Sequence, residues 1–349
     1  MKKVTVLMPV HGTGEYLQET IASVLNQSSR EFDFLIILDR ASKEAIGVID
    51  SFEYDKRITI AQSKGQGIVS ALNTGIELCT TEYIARIDAD DLMFIDRLEK
   101  QSFFLKINPK IVCVGSCIQL INEKGEELYP HHNPEEHRKI VKEMSRRTAM
   151  AHPSVMYRTA AVQAVGGYRE FFKYAEDYDL WIRLAEVGEL HNLQQPLTYY
   201  RIHNNQLSRV KTVEQGYATL AVQTSAKLRR KNQPDLPDLY RNPSEWVSMA
   251  GIKIISHLEP SQEEKIENQS KIKGFQFKKY LVSFSQDRKL RQMRPSFKDV
   301  LNLRFQESRK QGTRGKTVGI FLLLLVLSPY KSSQKFLEYI IYHGRQYFK

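Results

Sequence analysis

The sequence predicts an α/β fold in which a mostly parallel central sheet is flanked by helices. Two observations support this prediction. Short apolar runs alternate four times with segments of helical periodicity, and polar or acidic residues follow the apolar runs. The chain has 349 residues, of which 42% are hydrophobic, so it can bury a large core. We expect one large domain followed by an appendage.

The first predicted strand covers residues 4–8, a nearly continuous apolar run typical of a strand that is covered on both faces. It ends at a turn-rich segment, residues 9–12. The apolar run is short, contains Pro9 and is followed by no small-residue cleavage site, so we expect a strand rather than an export signal. An amphipathic helix is predicted next from the spacing of Leu17, Ile21, Val24 and Leu25.

Three further strand and helix units follow. Strands are predicted over residues 32–38 and 58–60, with helices through residues 45–49 and 68–76 after them. Residues 83–87 have the length and β-branched content of a fourth, buried strand. Because strand and helix alternate, we expect parallel strands joined by right-handed crossovers.

Three carboxylates, Asp88, Asp90 and Asp91, follow the fourth strand within four positions. In open α/β sheets, ligands bind beyond the carboxyl ends of the strands. Carboxylates this close repel one another, so a divalent cation or several hydrogen-bond donors must offset the repulsion, and oxygen ligands favour Mg2+ or Mn2+. The alternative is that Asp91 begins a helix as its N-cap and the other two are solvated.

The next part of the chain predicts a helix over residues 96–108, strands over 111–114 and 116–121, and a polar helix over 134–147. Two compact polar groups follow, at residues 151–155 and 174–181. The second begins a predicted helix and places Glu176 and Asp177 in its first turn. Acidic residues are favoured there by the helix dipole, so capping alone could explain them.

A proline-containing polar segment, with Pro234, Pro237 and Pro243, marks a predicted linker. We therefore expect a catalytic domain over residues 1–230 and a basic helical region over residues 231–349. Residues 271–349 contain 18 Lys and Arg against 4 Asp and Glu, a local net charge of +14, whereas the whole chain carries +11. The remaining residues are therefore slightly acidic, and the basic character belongs to the C-terminal region.

Residues 318–327 are apolar throughout, but this run is about half of what a membrane-spanning helix requires. Basic residues flank it and aromatic residues follow it, a pattern typical of a helix lying in the membrane interface. The alternative is a helix that packs on the catalytic domain or forms a dimer contact.

Several common classes of site are excluded. The three cysteines, Cys79, Cys113 and Cys117, form no Cys-x-x-Cys pair, and their small, odd number suits buried thiols in a reducing compartment. Gly65 and Gly67 lack the third glycine of a dinucleotide-binding motif. The sequence also contains no Gly-x-x-x-x-Gly-Lys-Ser/Thr phosphate loop.

Taken together, these motifs resemble the family 2 inverting glycosyltransferases with the Rossmann-like GT-A fold. The resemblance covers about residues 3–210, and the order and spacing of its motifs are more specific than a single Asp-x-Asp. The segments that carry it are residues 4–27, Asp39, residues 73–76, 82–91, 152–155, 176–181 and 200–203.

The resemblance implies a role for each of these positions. It implies that Asp177 is the catalytic base and that Asp90 binds the metal, with His203 approaching the metal or the diphosphate from the far side. The residues implied to bind the nucleotide donor are Pro9, Val10, His11, Glu15, Asp39, Lys64, Gly65, Asn73, Asp88 and Ala89. The residues implied to contact the acceptor or the diphosphate are His152, Glu176, Trp181 and Arg201.

Two of these roles have alternatives. Trp181 could form a wall facing the acceptor or could pack in the core. His152 could contact the substrate or could hold a loop through a hydrogen bond.

From the resemblance we predict a glycosyltransferase that requires Mg2+ or Mn2+ and transfers a sugar from a nucleotide sugar, a UDP-sugar in the first instance, in bacterial surface polysaccharide synthesis. The basic and apolar C-terminal region is the main reason to expect a lipid-linked saccharide acceptor and a cytoplasmic location at the inner membrane surface. A base is needed because the acceptor hydroxyl must lose its proton as it attacks the anomeric carbon and inverts its configuration. No nucleic-acid partner is expected.

Two other functions fit part of the sequence. A nucleotidyltransferase acting on sugar phosphates also needs acidic metal ligands, but we would expect a basic, glycine-rich loop where this chain has residues 9–12. A non-catalytic protein that binds nucleic acid or membranes would explain the basic C-terminal region. It would leave the ordered series of acidic residues unexplained.

Overall fold

The computed structural model describes residues 2–12, 14–203, 212–241 and 246. The chain divides into two units after Ala226, and the fold and site below belong to the first. The predicted interfacial segment, residues 318–327, lies outside the described residues. Among the residues that are described, no helix has the length and apolarity needed to cross a membrane.

The first half of the chain alternates strands and helices. Its elements are β1 (Val4–Gly12), α1 (Leu17–Leu25), β2 (Phe32–Ala41), α2 (Lys43–Asp50), β3 (Ile58–Gln62), α3 (Ile68–Leu78), β4 (Tyr83–Arg86), β5 (Leu92–Met93) and α4 (Arg97–Ile107). The second half contains β6 (Ile111–Ile121), β7 (Glu127–His131), α5 (His137–Glu143), β8 (Met156–Arg158), α6 (Thr159–Ala164), α7 (Glu176–Val187), β9 (Glu189–Arg201), α8 (Thr212–Arg229) and α9 (Leu236–Leu239). Short 3-10 turns cover His152–Ser154 and Glu170–Phe172.

The described strands form one nine-stranded sheet in the order β3-β2-β1-β4-β8-β6-β9-β5, with β7 paired to β6. Strands β1 to β4 are mutually parallel, as predicted. Strand β8 is antiparallel to both of its neighbours, β4 and β6, and β6 runs parallel to β9. The strands β1, β2, β3, β4, β6 and β9 therefore point the same way, and their carboxyl ends meet at one edge of the sheet.

Apolar residues on both faces explain why β1 and β2 are central strands. Residues 4–10 of β1 are all buried, and the apolar face of α1 packs with β1 and β2 in the same core. Helix α2 begins after Ser42, whose side-chain oxygen accepts a hydrogen bond from the Ala45 N–H at 3.2 Å. These local features match the sequence expectations for this half.

Two expected elements differ from the structure. The predicted strands at residues 111–114 and 116–121 are one strand, β6, which stays paired with β9 through Gly115. A Cβ at Gly115 would lie 2.3 Å from Asn192 Oδ1, so this position has no room for a side chain. The predicted helix over residues 134–147 is shorter, since Glu136 is extended and α5 begins at His137.

Candidate active site

The triple-aspartate cluster, Asp88, Asp90 and Asp91, lies at the carboxyl end of β4. One carboxylate oxygen from each residue lies within 4.8 Å of those of the other two. A tight turn brings them together, since the Asp91 N–H donates to the Asp88 carbonyl at 3.3 Å. The chain then enters β5, and the next helix starts only at Arg97, so the alternative of Asp91 as a helix N-cap is wrong.

Each carboxylate of the cluster has a different partner. The Arg86 guanidinium forms two hydrogen bonds with Asp88. Asp90 Oδ2 lies 2.9 Å from His203 Nε2, and Asp91 Oδ1 accepts the Arg201 N–H at 2.8 Å. The end of β9 and the residues that follow it thus contact two of the aspartates that follow β4.

The cluster suits a divalent cation. Asp91 is 1% exposed, and its Oδ2 has no hydrogen-bond partner among the described residues. Burial, together with the charges of Asp90 and Asp88, holds the pKa of Asp91 well above its usual range. Burial also raises the pKa of Asp88, although the positive charge of Arg86 opposes this. Oxygen ligands that repel one another and one unsatisfied oxygen fit Mg2+ or Mn2+.

Arg201 is buried, and its side chain contacts the backbone of the cluster. Its Nε donates to the Asp90 carbonyl at 3.0 Å and one terminal nitrogen donates to Glu19 Oε2 at 2.7 Å. The guanidinium also lies over the Tyr16 ring, 4.3 Å from its centroid. These contacts make Arg201 a positioning residue for Asp90, and its expected contact with the acceptor or diphosphate stays a prediction.

The residues expected at the nucleotide base and ribose gather at the ends of β1 and β2. Pro9 and Val10 are buried in β1, whereas His11 is exposed and its Nδ1 lies 2.8 Å from the Asp39 carbonyl oxygen. The Asp39 carboxylate accepts the Gly67 N–H at 2.9 Å. These hydrogen bonds join the loops after β1, β2 and β3 into one surface.

The other expected donor residues surround this surface. Glu15 is exposed just before α1, and the Ala89 carbonyl accepts a hydrogen bond from Thr20 at 3.0 Å. Lys64 forms an exposed ion pair with Glu77, and the adjacent Gly65 passes close to a serine side chain. Their contacts with a nucleotide stay predictions.

Unlike the other residues expected to bind the donor, Asn73 uses both ends of its side-chain amide in hydrogen bonds to Tyr168. Its Nδ2 donates to the Tyr168 carbonyl and its Oδ1 accepts the Tyr168 N–H, both at 2.8 Å. Asn73 therefore fixes the backbone at Tyr168, and its predicted nucleotide contact is not tested by this geometry.

The helix-terminal pair, Glu176 and Asp177, occupies the first turn of α7. Burial is the main cause that raises the pKa of Glu176 to about 7 and that of Asp177 to about 6. The Tyr178 N–H donates to Asp177 Oδ1 at 2.7 Å, and Glu176 Oε2 has no partner among the described residues. Capping would lower these pKa values rather than raise them, so capping alone does not explain the pair.

The pair and the cluster are electrostatically coupled. The positive charge of Arg86 lowers the pKa of Asp177, and the negative charge of Asp88 raises it. A low-dielectric interior strengthens such interactions between charges. The Asp177 carboxylate therefore responds to the charge at the cluster.

The comparisons with known proteins bear on this arrangement. Residues 5–172 match the family model "Glycosyl transferase family 2". The chain is 35% identical over 210 residues to the O-antigen biosynthesis glycosyltransferase WbnJ of Escherichia coli, a match that covers 58% of this chain and 80% of WbnJ. The chain belongs to glycosyl transferase family 2.

Other comparisons agree with the family assignment. The putative glycosyltransferase EpsE of Bacillus subtilis is 31% identical over 219 residues, covering 59% of this chain and 76% of EpsE. The crystal structure of S. aureus TarS residues 1–349 in complex with UDP-GlcNAc superimposes with a TM-score of 0.53 and 16% identity, covering 65% of this chain and 66% of the TarS chain. The predicted GT-A fold is confirmed.

In this glycosyltransferase, three residues at the site were not predicted from the sequence. Arg86 neutralises Asp88, and its position two residues earlier on the same strand face was a usable signal. The Tyr200 hydroxyl is affected by all three aspartates, and burial with their charges raises its pKa. Tyr168 binds His152, and no sequence signal linked these two residues.

His152 and Trp181 lie together next to the helix-terminal pair. His152 Nε2 lies 2.8 Å from the Tyr168 hydroxyl, and the imidazole meets the Trp181 indole edge-on at 5.8 Å. Trp181 is 0% exposed, which corresponds to its core-packing alternative. His152 makes a loop-fixing hydrogen bond, and substrate contact stays open as well.

Proposed function

We propose that this glycosyltransferase requires Mg2+ or Mn2+ and transfers a sugar, with inversion, from a nucleotide diphosphate sugar to a saccharide hydroxyl. The observation that carries the proposal is that Asp177 of the helix-terminal pair is electrostatically coupled to Arg86 and Asp88 at the triple-aspartate cluster. The cluster suits a cation with a diphosphate, and the pair suits proton transfer.

The proposed mechanism assigns each group one task. Asp90 and His203 would hold the cation, which neutralises charge on the leaving diphosphate when it is bound. Asp177 would accept the proton of the acceptor hydroxyl as the oxygen attacks the anomeric carbon from the opposite face. Its pKa of about 6 leaves the carboxylate largely ionised at pH 7 while keeping it a better base than an ordinary aspartate.

The substrates are proposed from the relatives. WbnJ is named for O-antigen biosynthesis, and TarS was crystallised with UDP-GlcNAc. These names support a surface polysaccharide as the product and a UDP-sugar as the first donor to try. We also propose that the acceptor is lipid-linked and lies at the cytoplasmic face of the membrane, because the basic residues 271–349 suit an anionic membrane surface.

The test is a thermal-shift scan of UDP, GDP and dTDP sugars with and without Mn2+, on the native protein and on Asp90→Ala. We expect one nucleotide to raise the melting temperature by several degrees only with Mn2+, because a ligand that binds the folded state stabilises it. Asp90→Ala should lose this shift. Asp50→Ala, an exposed acid at the end of α2, is the matched control and should keep it.

Two results would contradict the proposal. If no nucleotide sugar shifts the native protein, the donor assignment fails. If the shift appears equally without Mn2+ and in Asp90→Ala, donor binding stands and the metal assignment fails.

A further inference from the structure

The loop at residues 166–169 is fixed to the donor side of the site. The backbone at Gly167 is in the left-handed region, with φ of +63°, and a Cβ there would lie 2.5 Å from Asn73 Oδ1. This close approach allows Asn73, on α3, to hold Tyr168 through both ends of its amide. The Tyr168 backbone therefore has one defined position.

The same loop is fixed to α7. Arg183 donates to the Gly167 carbonyl at 2.7 Å and to Asp179 at 2.9 Å. Arg169 Nε donates to the same carboxylate at 3.0 Å, and Asp179 is fully buried. Since Asp179 follows Asp177 by two residues on α7, the loop and the proposed base are parts of one rigid assembly.

The Tyr168 side chain connects this rigid assembly to His152. Tyr168 is 2% exposed, and its hydroxyl lies 2.8 Å from His152 Nε2. The His152 ring also contacts Trp181, four residues after Asp177 and therefore on the same face of α7. The hydrogen bond to Tyr168 is the one that His152 forms among the described residues, and it uses Nε2 rather than Nδ1.

We infer that Tyr168 is a positioning residue whose hydroxyl orients the His152 imidazole so that Nδ1 binds a hydroxyl of the saccharide acceptor next to Asp177. The inference rests on the proposed transfer reaction. A neutral imidazole has one donor and one acceptor nitrogen, and the bond made by one nitrogen fixes the role of the other. Burial and the positive charge of Arg86 hold the pKa of His152 well below its usual range, so the ring is neutral at pH 7.

The first test uses 15N-histidine NMR on the full chain, native and Tyr168→Phe. The chain has 9 histidines, and His152→Asn identifies the His152 signal by its loss. We expect a single fixed tautomer in the native protein and tautomer-averaged nitrogen shifts in Tyr168→Phe. Tyr129→Phe, the same change at a residue that is 61% exposed on β7, should leave the signal unchanged. An unchanged His152 signal in Tyr168→Phe would overturn the inference.

The second test is kinetic, with the nucleotide sugar that gives the largest thermal shift and p-nitrophenyl glycosides as acceptors. Tyr168→Phe should raise the acceptor KM about five- to tenfold, the scale of one hydrogen bond, and leave the donor KM unchanged. In a His152→Asn background, Tyr168→Phe should add little, because both changes act through one contact. Additive effects, or an equal rise in both KM values, would contradict the positioning role.

The two tests separate the inference from the function. If no nucleotide sugar binds, the proposed function fails, and the saccharide contact fails with it. The NMR result then still decides whether Tyr168 orients His152.

Discussion

The triple-aspartate cluster and the helix-terminal pair are both acidic, and each combines a buried carboxylate with partly buried ones, but their surroundings differ. Each aspartate of the cluster has its own partner: Asp88 contacts the neighbouring Arg86, whereas Asp90 and Asp91 contact His203 and the Arg201 backbone from the end of β9 and beyond. In the pair, donation to Asp177 and Glu176 comes from backbone N–H groups near the start of α7. In the cluster, burial and mutual repulsion raise the pKa values of Asp88 and Asp91, and a cation would offset that repulsion. In the pair, burial raises the pKa values to about 7 and about 6, a range that suits proton transfer.

The largest expected effect is loss of the proton acceptor. Asp177→Asn keeps the shape of the side chain but cannot take a proton, so release of nucleoside diphosphate from the bound nucleotide sugar should fall roughly a hundredfold to ten-thousandfold. The metal-dependent thermal shift should remain, because the cluster is intact. Turnover within tenfold of the native rate would show that the base lies elsewhere and would break the proposed division of roles.

A second change affects the residue that links the two groups. Arg86→Met leaves Asp88 without its cationic partner, and breaking a buried ion pair costs about 3 kcal/mol of unfolding free energy. Because Arg86 lowers the pKa of Asp177, its removal should also move the acidic limb of the pH–rate profile to higher pH. Urea unfolding and initial rates from pH 5 to 9 measure both effects.

The matched control for this change is Arg138→Met on α5, which removes an exposed arginine and should change neither quantity. An unshifted acidic limb in Arg86→Met would show that the cluster and the pair are electrostatically independent.

The smallest expected effect concerns Glu176. Its pKa of about 7 in the folded protein lies above its ordinary value of 4.5, so protonation stabilises the fold at low pH and this contribution is lost as pH rises through 7. Glu176→Gln removes that dependence and should be more stable than the native protein at pH 8, by roughly 1 to 2 kcal/mol. At pH 5 the difference should be small.

Urea unfolding of both proteins at pH 5 and pH 8 measures this effect. A difference that does not change with pH would show that Glu176 is ionised in the same way in folded and unfolded chains. It would remove the electrostatic contrast between the pair and the cluster.

The first half of the fold was predictable because its signals are local. Apolar runs of strand length, helical spacing between them and acids at the strand ends are enough to place Asp39 and the triple-aspartate cluster at one edge. The resemblance to a known family added the expected role of Asp177, which no local pattern gives.

The rest depends on contacts between distant residues. Strand β8 pairs in the antiparallel direction with both β4 and β6, and the spacing of apolar residues in the sequence does not predict this pairing. The Tyr168–His152 contact and the burial of Arg201 likewise arise only when three elements meet. Burial itself sets the raised pKa of Asp177, so the chemistry of the pair required the structure.

The late arrival of β9 at the cluster has a consequence for biosynthesis of the protein. Asp91 and the Arg201 N–H that binds it are 110 residues apart in the chain. Because translation proceeds from the N-terminus, strands β1 to β4 leave the ribosome while Arg201 and His203 are still to be made. A nascent chain therefore carries the three aspartates long before it carries Arg201 and His203, so two of these carboxylates stay without their partners until most of the first unit has been made.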